Sequence, residues 1–461
     1  MMSTDCDVLV VGAGISGLVT AFELQQRGLR VEVLEAGRRA GGMIGTRQRD
    51  GALYELGPNS ILDSTPLIDD LLRRLDIIDQ RVNASAVAAR RFVIRNAHPV
   101  ALPASPGAFL TTRAFSTSAK LRLLREPFIA PASPDAEESI AAFARRRLGA
   151  EILEYGVDPF VAGIYAGDPE KISVAAAFPR LHALEQDHGS LIKGQIANRR
   201  ERARHGETAK ISTGSFSFRH GMQTLPDALA RATTTLQVDT AVERITAAAD
   251  ETFTLSAQRG GETMTRSARA VVLAVPAGAA AALIDPLDGE AARSLSAIGY
   301  PALAVVASVY RSMAVAHRLD GFGFLVPRAE GRRILGCLFS SSMFAGRAPE
   351  NSVLLTTFAG GCRNPEIAAL DSESVARVVT EELGSLLGCT EAPRWQEVVH
   401  WPRAIPQYTL GHLRRMHAID DLEAGLPGLH FCASYRDGVS VGDRIKAAHA
   451  TAARIAERVK R

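Results

Sequence analysis

The sequence predicts a mixed α/β (α+β) fold in which one domain is assembled from separated segments of the chain. The chain opens as a strand, a glycine loop, a helix and a second strand, and a strand, loop and helix return near its C-terminal end. Between these ends, apolar–polar alternation predicts strands over 236–276 and 300–360, whereas about 90–195 has a helical pattern. These observations indicate one α/β domain with a helical and a strand-rich insertion.

The opening segment has the pattern of a βαβ unit. An apolar run at 8–11 is followed by the glycine loop 12–17, a helical pattern that stops at Gly28, and a second strand at 31–34 that ends in Glu35. The change from a short apolar run to a helical period and back indicates strand, helix and strand.

Two helices outside this unit carry capping signals. The amphipathic segment 64–75 begins at Ser64 or Thr65, either of which can cap it. A second helix is predicted over 134–148, with Ser133 as its cap, acidic residues in its first turn and arginines in its last.

Four further elements complete the prediction. The Arg-rich segment 196–210 is expected to be a surface loop or helix end, and 372–387 a helix. The chain is then predicted to return as a strand over 429–432 and a helix from about Arg444.

The composition is that of a folded protein without a strong charge bias. Of 461 residues, 46% are hydrophobic and 22% charged, and the formal net charge is +3. This balance fits a globular core and disfavours a nucleic-acid partner. The scattered cysteines lack the spacing of a disulfide framework or a cysteine-built zinc site, so we expect no metal. The cysteines are Cys6, Cys337, Cys362, Cys389 and Cys432.

Membrane and targeting signals are weak. The longest apolar run, 270–284, is too short to span a bilayer and is interrupted by Pro276 and Gly278. The first residues do not have the pattern of a secretory signal, and the cysteine usage fits a reducing compartment. We expect a cytoplasmic location, with peripheral attachment to the cytoplasmic face of the cell membrane left open.

The glycine loop carries the strongest chemical signal. Gly12 permits a tight turn, Gly14 lets the backbone approach a pyrophosphate, and Gly17 lets the helix pack closely on the strand. The helix N-terminus then faces the phosphates, and Glu35 stands where a carboxylate can bind a ribose hydroxyl. The combination predicts a Rossmann-like dinucleotide site, and the alternative is a structural glycine turn.

Two later segments extend this site. The glycine pair before Met43 would let the chain lie against an extended FAD, and the loop 55–60 would leave backbone N–H groups free for a flavin. Either segment alone could be an ordinary turn. Their order behind the dinucleotide motif favours a flavin site.

In this order the motifs resemble the flavin-containing amine oxidase superfamily. Within it the chain is similar to the family of oxygen-dependent protoporphyrinogen oxidase and coproporphyrin-forming coproporphyrinogen III oxidase, over essentially its whole length. The stretches that carry the resemblance are 157–173, 178–194, IPQYTLGHL (405–413) and ASYRDGVSVGDRI (433–445), of which the last two are the more specific. One departure is His220, where the family tends to have a glycine.

The resemblance implies three domains. The predicted FAD-binding domain comprises 1–61, 216–276 and 425–461; the substrate-binding domain comprises 62–90, 191–215 and 277–424; and a helical membrane-binding domain comprises 91–190.

The resemblance also implies a set of FAD contacts. Val242 would cover the adenine side, Trp401 would touch the flavin, and 439–441 would meet the isoalloxazine and ribityl groups. The full set is Gly12, Ala13, Gly14, Ile15, Ser16, Gly17, Glu35, Ala36, Gly42, Met43, Gly57, Pro58, Asn59, Ser60, Val242, Trp401, Val439, Ser440 and Val441. From the residues alone, the helix N-terminus after 439–441 can stabilise negative charge on a reduced flavin, and the alternative is a plain strand-to-helix connection.

The implied reaction removes six electrons from a porphyrinogen in three flavin cycles, with O2 as acceptor and hydrogen peroxide as product, in haem biosynthesis. Because the flavin carries this chemistry, we name no catalytic residue of the protein. We favour protoporphyrinogen IX over coproporphyrinogen III as substrate. Another flavin amine oxidase or carotenoid desaturase is the more remote enzyme class, and an inactive flavin-binding or haem-pathway partner protein is the non-enzymatic alternative.

A porphyrinogen site needs an apolar slot and a cation for the propionates. By resemblance Arg91 binds a propionate and Gly167 lines the slot; from the residues alone, Arg91 would be a surface charge and Gly167 a turn. Phe324 and Phe339 are further apolar candidates, at least one of which we expect to belong to the core.

The segment 105–129 interleaves large apolar residues with four basic residues against one acidic residue. This pattern suits contact with an anionic lipid surface, and the alternative is a surface packed on a neighbouring domain. A homodimer and transfer of the product to ferrochelatase are the remaining partner expectations.

Overall fold

The computed structural model of the chain describes residues 4–133, 136–204 and 214–459. The strands in these ranges are β1 (Cys6–Val11), β2 (Val31–Leu34), β3 (Thr46–Arg49), β4 (Ala52–Glu55), β5 (Ile61–Leu62), β6 (Arg81–Asn83), β7 (Phe92–Arg95), β8 (His98–Ala101), β9 (Ser215–Phe218), β10 (Leu236–Gln237), β11 (Thr240–Ala247), β12 (Phe253–Arg259), β13 (Glu262–Leu273), β14 (Leu303–Arg311), β15 (Gly323–Leu325), β16 (Ile334–Leu338), β17 (Ser352–Gly360), β18 (Trp395–Trp401) and β19 (Leu429–Phe431).

The α-helices in the same ranges are α1 (Ile15–Gln26), α2 (Pro66–Arg74), α3 (Pro106–Thr111), α4 (Thr117–Leu123), α5 (Ile140–Arg147), α6 (Ala150–Ile152), α7 (Asp158–Tyr165), α8 (Val174–Ala177), α9 (Pro179–His188), α10 (Leu191–Arg204), α11 (Thr224–Ala232), α12 (Ala277–Ile284), α13 (Gly289–Ser296), α14 (Ser340–Met343), α15 (Pro365–Ala368), α16 (Ser372–Leu387), α17 (His412–Gly425) and α18 (Val441–Val459). A π-helical turn (Leu153–Val157) joins α6 to α7.

The first sheet unites the two ends of the chain. Its order is β10-β2-β1-β13-β12-β11, with β19 beside β13. The strands β10, β2, β1, β13 and β19 pair in parallel, and β1 is buried along its whole length, as expected for a parallel strand covered on both faces. The helices α1 and α18 pack together on this sheet, where Leu18 and Phe22 share a core with Ile445 and Ala448. The predicted mixed α/β fold is thereby confirmed.

The second sheet has the order β18-β14-β17-β16-β15-β7-β8. One face is covered by α16, whose Val375 and Leu383 pack with Phe92 and Phe324. On the opposite face, Val305 packs with residues of α7 and with Trp401. This second face therefore lies towards α7, which belongs to the helical part of the chain, α3 to α10.

Two strands lie within the segment predicted to be a helical domain. The strands β7 and β8 lie within 91–190, the segment predicted to be a helical domain, but β7 pairs in parallel with β15 of the second sheet. The first α-helix of this segment is therefore α3. The strands of the first sheet fall within 1–61, 216–276 and 425–461; the division into three functional domains itself stays a prediction.

A buried ion cluster organises the helical part. Arg147, Glu126 and Glu185 have no exposed surface, and the Arg147 Nε–H donates to Glu185 Oε1 at 2.6 Å. Glu126 also accepts hydrogen bonds from the hydroxyl of Ser190 at 2.6 Å and the N–H of Leu191 at 2.8 Å. Because burying one of these charges alone would be costly, the cluster ties α5, α9 and α10 into one unit.

Two of the predicted helices are confirmed. The segment 64–75 contains α2, and the Thr65 hydroxyl accepts from the N–H of Leu67 as its cap. The helix predicted over 372–387 is α16, with the same bounds. The predicted strands over 236–276 and 300–360 are also present.

The helix predicted over 134–148 begins later than expected. It starts at Ile140, and its cap is Ser139, whose hydroxyl accepts from the N–H of Ala142 at 3.1 Å. The acidic residues expected in its first turn serve other contacts: Glu138 pairs with Arg146, and Glu137 accepts from the N–H of Gly411. Residues 134 and 135 lie outside the described ranges.

The remaining boundaries shift by a few residues. The segment predicted as 196–210 is helical as far as Arg204, and residues 205–210 lie outside the described ranges. The last helix starts at Val441 rather than Arg444. In the described part of the chain, no helix combines the length and apolar character needed to cross a membrane.

Candidate functional site

The candidate site lies at the carboxyl edge of the parallel strands. Val11, Leu34, Leu273 and Phe431, the last residues of β1, β2, β13 and β19, are in register with one another. The loops that follow these strands therefore meet at one edge. Ligands of doubly wound sheets bind at this edge.

The first loop forms a cradle for a phosphate group. A Cβ atom at Gly17 would lie 1.9 Å from the carbonyl oxygen of Gly12, and one at Gly12, which has φ of +100°, would lie 2.8 Å from that of Ala274. At Gly14, by contrast, a Cβ atom would meet nothing within 4 Å. Two glycines are thus required by close packing, and the third leaves space beside the N-terminus of α1, which suits the pyrophosphate of a dinucleotide.

The acidic residue after β2 reaches this loop. The carboxylate of Glu35 accepts from the N–H of Ala13 at 2.6 Å and from that of Gly37 at 2.7 Å. A carboxylate has further acceptor capacity, so it can also bind a hydroxyl group. Of the other predicted contacts here, Ile15 is half-buried, Ser16 buried and Ala36 exposed.

The predicted segment at Gly42 packs against the cradle, and the predicted loop at Gly57 packs against that segment. A Cβ atom at Gly42 would lie 3.2 Å from the Cα of Gly14, and one at Gly57 would lie 2.3 Å from the carbonyl oxygen of Met43. The indole N–H of Trp401 donates to the carbonyl oxygen of Leu56 at 2.7 Å. Segments distant in sequence are thereby brought together as an extended cofactor requires. The neighbouring Pro58, Asn59 and Ser60 are half-buried.

A buried acid supports the loop 56–60 and was not anticipated as such. Glu55 accepts from the N–H of Met222 at 3.0 Å and the hydroxyl of Thr46 at 2.5 Å, and it pairs with Arg347 at 3.1 Å. Burial raises the pKa of the Glu55 carboxyl to about 7, and Arg347 opposes this rise. Nearby, His220 is exposed, so the departure from the family pattern lies at the surface.

The C-terminal loop brings Val439 and Ser440 to the N-terminus of α18. The Ser440 hydroxyl accepts from the N–H of Asp443 at 3.1 Å, which caps the helix. Val439 is half-buried, Ser440 exposed and Val441 buried. Val242, predicted on the adenine side, lies half-buried at an irregularity of β11.

A buried guanidinium lies beneath this loop. Arg444 is 4% exposed, and its nitrogens have no hydrogen-bond partner within the described residues. Its nearest acidic group is Asp437, at 3.8 Å, whose pKa is raised by burial and lowered in part by Arg444. Together with the N-terminus of α18, this charge favours an anionic ligand at the loop.

The segment IPQYTLGH connects the C-terminal loop to the helical part. The Tyr408 hydroxyl accepts from the N–H of Gly438 at 2.9 Å and donates to the carbonyl oxygen of Ser434. The Gln407 amide donates to the carbonyl oxygen of Tyr165 at 2.8 Å. The resemblance singled out this segment but gave these side chains no role, because their contacts depend on long-range packing that no local pattern of the sequence indicates.

The second sheet presents Arg91 on the face that lies towards the helical part. Arg91 directly precedes β7, and its carbonyl oxygen accepts from the N–H of Leu102 at 2.8 Å, which continues the pairing of β7 with β8. Side chains alternate along such an extended segment, so Arg91 shares its face with Val93, and Val93 packs on Ala114 and Phe115 of the helical part. Arg91 is exposed, and its guanidinium lies 5.4 Å from the ring centre of Phe322. It forms no ion pair within the described residues.

Phe324 and Phe339 do not line this face. They are 2% and 0% exposed, and both belong to the core covered by α16, although only one of the two candidates was expected to be a core residue. The neighbouring residue Leu325 points the other way and contacts α7, where a Cβ atom at Gly163 would lie 2.7 Å from it.

Gly167 is buried beside the IPQYTLGH segment. A Cβ atom there would lie 2.5 Å from both Gln407 Oε1 and Ile172 Cδ1. Close packing within the protein therefore explains the glycine, and its place in a substrate slot stays a prediction.

Comparison with known proteins identifies the class to which this fold and site belong. The model of the family "Flavin containing amine oxidoreductase" matches residues 15–456, and the chain belongs to that family. The predicted cofactor, FAD, is thereby confirmed, and the glycine cradle and Glu35 fit it.

Within this family the chain is similar to porphyrinogen oxidases. It is 34% identical to protoporphyrinogen oxidase 2, chloroplastic/mitochondrial, of Arabidopsis thaliana, over 95% of this chain and 91% of that protein. It is 29% identical to the coproporphyrinogen III oxidase of Bacillus subtilis (strain 168), over 95% of each. The resemblance stated from the sequence is therefore confirmed.

Solved structures show the same fold. A crystal structure from Exiguobacterium sp. 255-15 matches with a TM-score of 0.81 at 22% identity, over 99% of this chain and 100% of that one. Cyclohexylamine oxidase from Brevibacterium oxydans IH-35A matches with a TM-score of 0.70 at 18% identity, over 99% and 100%.

Proposed function

We propose that the protein oxidises protoporphyrinogen IX to protoporphyrin IX with O2 as acceptor, in haem biosynthesis. The observation that carries this proposal is the placement of Arg91 on the sheet face that lies towards the helical part, on the same side as Trp401, which contacts the loop 56–60. A free guanidinium above an apolar face suits a macrocycle with apolar rings and propionate groups.

The residues of the chain bind and orient, and the cofactor supplies the redox chemistry. FAD held by the glycine cradle and Glu35 would supply the two-electron oxidation of a porphyrinogen meso carbon, with O2 as final acceptor and hydrogen peroxide as product. The glycine cradle and Glu35 hold the dinucleotide part. Arg91 binds a propionate and thereby fixes the macrocycle relative to the loops 56–60 and 434–441.

Coproporphyrinogen III is the second candidate substrate, because curated coproporphyrinogen III oxidases are 29% and 30% identical to the chain. It carries propionates at two positions where protoporphyrinogen IX has vinyl groups, so its site needs more cations. The neighbouring cation Arg90 is already paired with Asp320. Of these two adjacent arginines, only Arg91 has no ion-pair partner within the described residues. One unpaired cation favours protoporphyrinogen IX, which carries fewer carboxylates than coproporphyrinogen III.

The stoichiometry of the reaction tests the proposed activity. Full oxidation to the porphyrin removes six electrons, so three molecules of O2 are consumed and three of hydrogen peroxide appear for each porphyrin formed. This ratio, measured with an oxygen electrode and a peroxidase-coupled assay, supports the proposal. A single peroxide per product, as for oxidation of an amine, would contradict it.

We also propose a peripheral membrane contact for the segment 105–129. Leu110, Leu124 and Phe128 are 69%, 65% and 87% exposed, and Arg113 and Arg125 beside them are exposed as well. Exposed apolar side chains among cations are the pattern of a surface that inserts shallowly into anionic lipid. Other apolar residues of the segment, such as Phe115, pack inside.

Location at the cytoplasmic face of the membrane stays a prediction. The assignment of 91–190 to a membrane-binding domain, a homodimer and product transfer to ferrochelatase stay predictions.

A further inference from the structure

We propose that Tyr408 is a positioning residue for the flavin, because its hydroxyl fixes the loop 434–441. The inference rests on the proposed contacts of Val439, Ser440 and Val441 with FAD. It goes beyond them by assigning their placement to a side chain that lies outside the loop.

The Tyr408 hydroxyl bridges two backbone groups of the loop. It accepts a hydrogen bond from the N–H of Gly438 at 2.9 Å and donates one to the carbonyl oxygen of Ser434. The two groups stand at the start and near the end of the turn that precedes Val439. One hydroxyl thus closes the turn from inside, in a conformation that places Gly438 at φ of +100°.

The ring of Tyr408 is itself held firmly. It is 3% exposed and stacks on the His412 ring at a centroid distance of 4.2 Å. The Nε2–H of His412 donates to the carbonyl oxygen of Tyr435 at 2.8 Å. Two neighbouring side chains therefore contact the loop from one side through three hydrogen bonds.

The backbone of Tyr408 connects the loop to the helical part. Its carbonyl oxygen accepts from the N–H of Ser173 at 2.8 Å, and Thr409 bridges to Ile172. These contacts fix the position of the loop 434–441 relative to the helical part as well as to the first sheet. Burial raises the pKa of Tyr408, so its hydroxyl keeps the proton that it donates across the physiological range.

A matched pair of variants tests the inference. Tyr408→Phe removes only the hydroxyl and keeps the ring stack. Tyr165→Phe is the control: its ring is also 3% exposed and lies 5.7 Å from that of Tyr408, but its hydroxyl donates to Ala177 in the helical part. We expect Tyr408→Phe to raise the FAD dissociation constant about tenfold and to shift the visible flavin spectrum, since two hydrogen bonds to the loop are lost.

Hydrogen–deuterium exchange gives a second readout. In the FAD-bound protein, the Gly438 amide is expected to be protected in wild type and Tyr165→Phe, and to exchange faster in Tyr408→Phe. FAD affinity, spectrum and exchange in Tyr408→Phe equal to those in Tyr165→Phe would overturn the inference. If Tyr408→Phe does not fold, an unprotected Gly438 amide in the wild-type FAD-bound protein would likewise overturn the inference.

The outcome is separable from that of the proposed function. A wild-type protein that binds FAD but does not oxidise either porphyrinogen would contradict the proposed substrate and leave this test of loop positioning intact. A wild-type protein that binds no FAD would overturn both.

Discussion

The carboxylate of Glu35 accepts a hydrogen bond from the backbone N–H of Ala13 at 2.6 Å. This contact joins the loops that follow β1 and β2, two neighbouring strands of the first sheet. The acid therefore has two roles in our account: it orders the glycine cradle, and it offers its remaining acceptor capacity to a ribose hydroxyl.

Substitution of Glu35 should weaken FAD binding without loss of the fold. Glu35→Ala removes a charge-assisted hydrogen bond to the ligand and one to the cradle, so we expect the FAD dissociation constant to rise about ten- to a hundredfold. Titration of the apoprotein with FAD, followed by quenching of flavin fluorescence, measures this. Glu262→Ala, at an exposed position of β13, is the control and should leave the constant unchanged.

Gly14→Val should give a folded protein without flavin. Because the space beside Gly14 is open in the protein alone, we expect the apoprotein to keep its melting temperature while the side chain fills the phosphate cradle. Gly17→Val, whose Cβ would meet the Gly12 carbonyl oxygen, should instead destabilise the fold. A fully loaded, yellow Gly14→Val protein would refute the assigned role of the loop.

Arg91→Ala should raise the KM for the porphyrinogen about tenfold or more, because a propionate loses a charge-assisted hydrogen bond. The flavin spectrum should not change. Arg90→Ala removes the adjacent cation, which is engaged by Asp320, and should affect KM much less. Equal effects of the two substitutions would exclude Arg91 from the substrate site.

Acid should destabilise the fold through His412. Burial lowers the pKa of this histidine to about 4, below the unfolded value of about 6.5. The unfolded state therefore binds more protons between these values, and the stability present above pH 6.5 is lost as the pH falls through this window. This single group accounts for a loss of roughly 3 kcal/mol.

Urea unfolding at several pH values tests this. His412→Gln should show a weaker dependence of the unfolding free energy between pH 6.5 and 4, whereas His98→Gln, at an exposed position, should match wild type. If the pH dependence of the unfolding free energy is the same in His412→Gln as in wild type, the buried His412 ring is not the cause of the acid destabilisation. His430, whose pKa burial lowers to about 3, adds to the remaining slope in both proteins.

Membrane attachment should depend on the exposed apolar residues of 105–129. The double substitution Leu124→Ser and Phe128→Ser should release the protein from vesicles that contain phosphatidylglycerol, measured by flotation. Met313→Ser is the control, because Met313 is 84% exposed but lies elsewhere. Flotation of the double variant at the wild-type level would contradict the proposed surface.

Two parts of the fold, the loop after β1 and the helix α16, could be predicted from local sequence patterns. The loop after β1 could be predicted because glycines at close contacts, and a helical period that stops at Gly28, leave direct traces in the sequence. The bounds of α16 were predictable because Asp371, Gly388 and a regular apolar stripe mark them.

Features that depend on distant pairing could not be predicted in this way. The parallel pairing of β7 with β15 joins Phe92 to Phe324, and no local period indicates it. The alternation of side chains along a strand predicts that Phe324 and Leu325 lie on opposite faces of the sheet. It does not indicate which of the two faces α16 covers. The contact of the Tyr408 hydroxyl with Gly438 depends on the same long-range packing, so its role appeared only with the structure.

The growth of porphyrin fluorescence in air measures the proposed oxidase activity, with purified FAD-loaded protein and either protoporphyrinogen IX or coproporphyrinogen III as substrate. We expect growth well above the non-enzymatic rate, faster with protoporphyrinogen IX. Faster growth with coproporphyrinogen III would reverse the substrate assignment. No growth with either substrate, despite bound FAD and air, would contradict the proposal that the protein is a porphyrinogen oxidase.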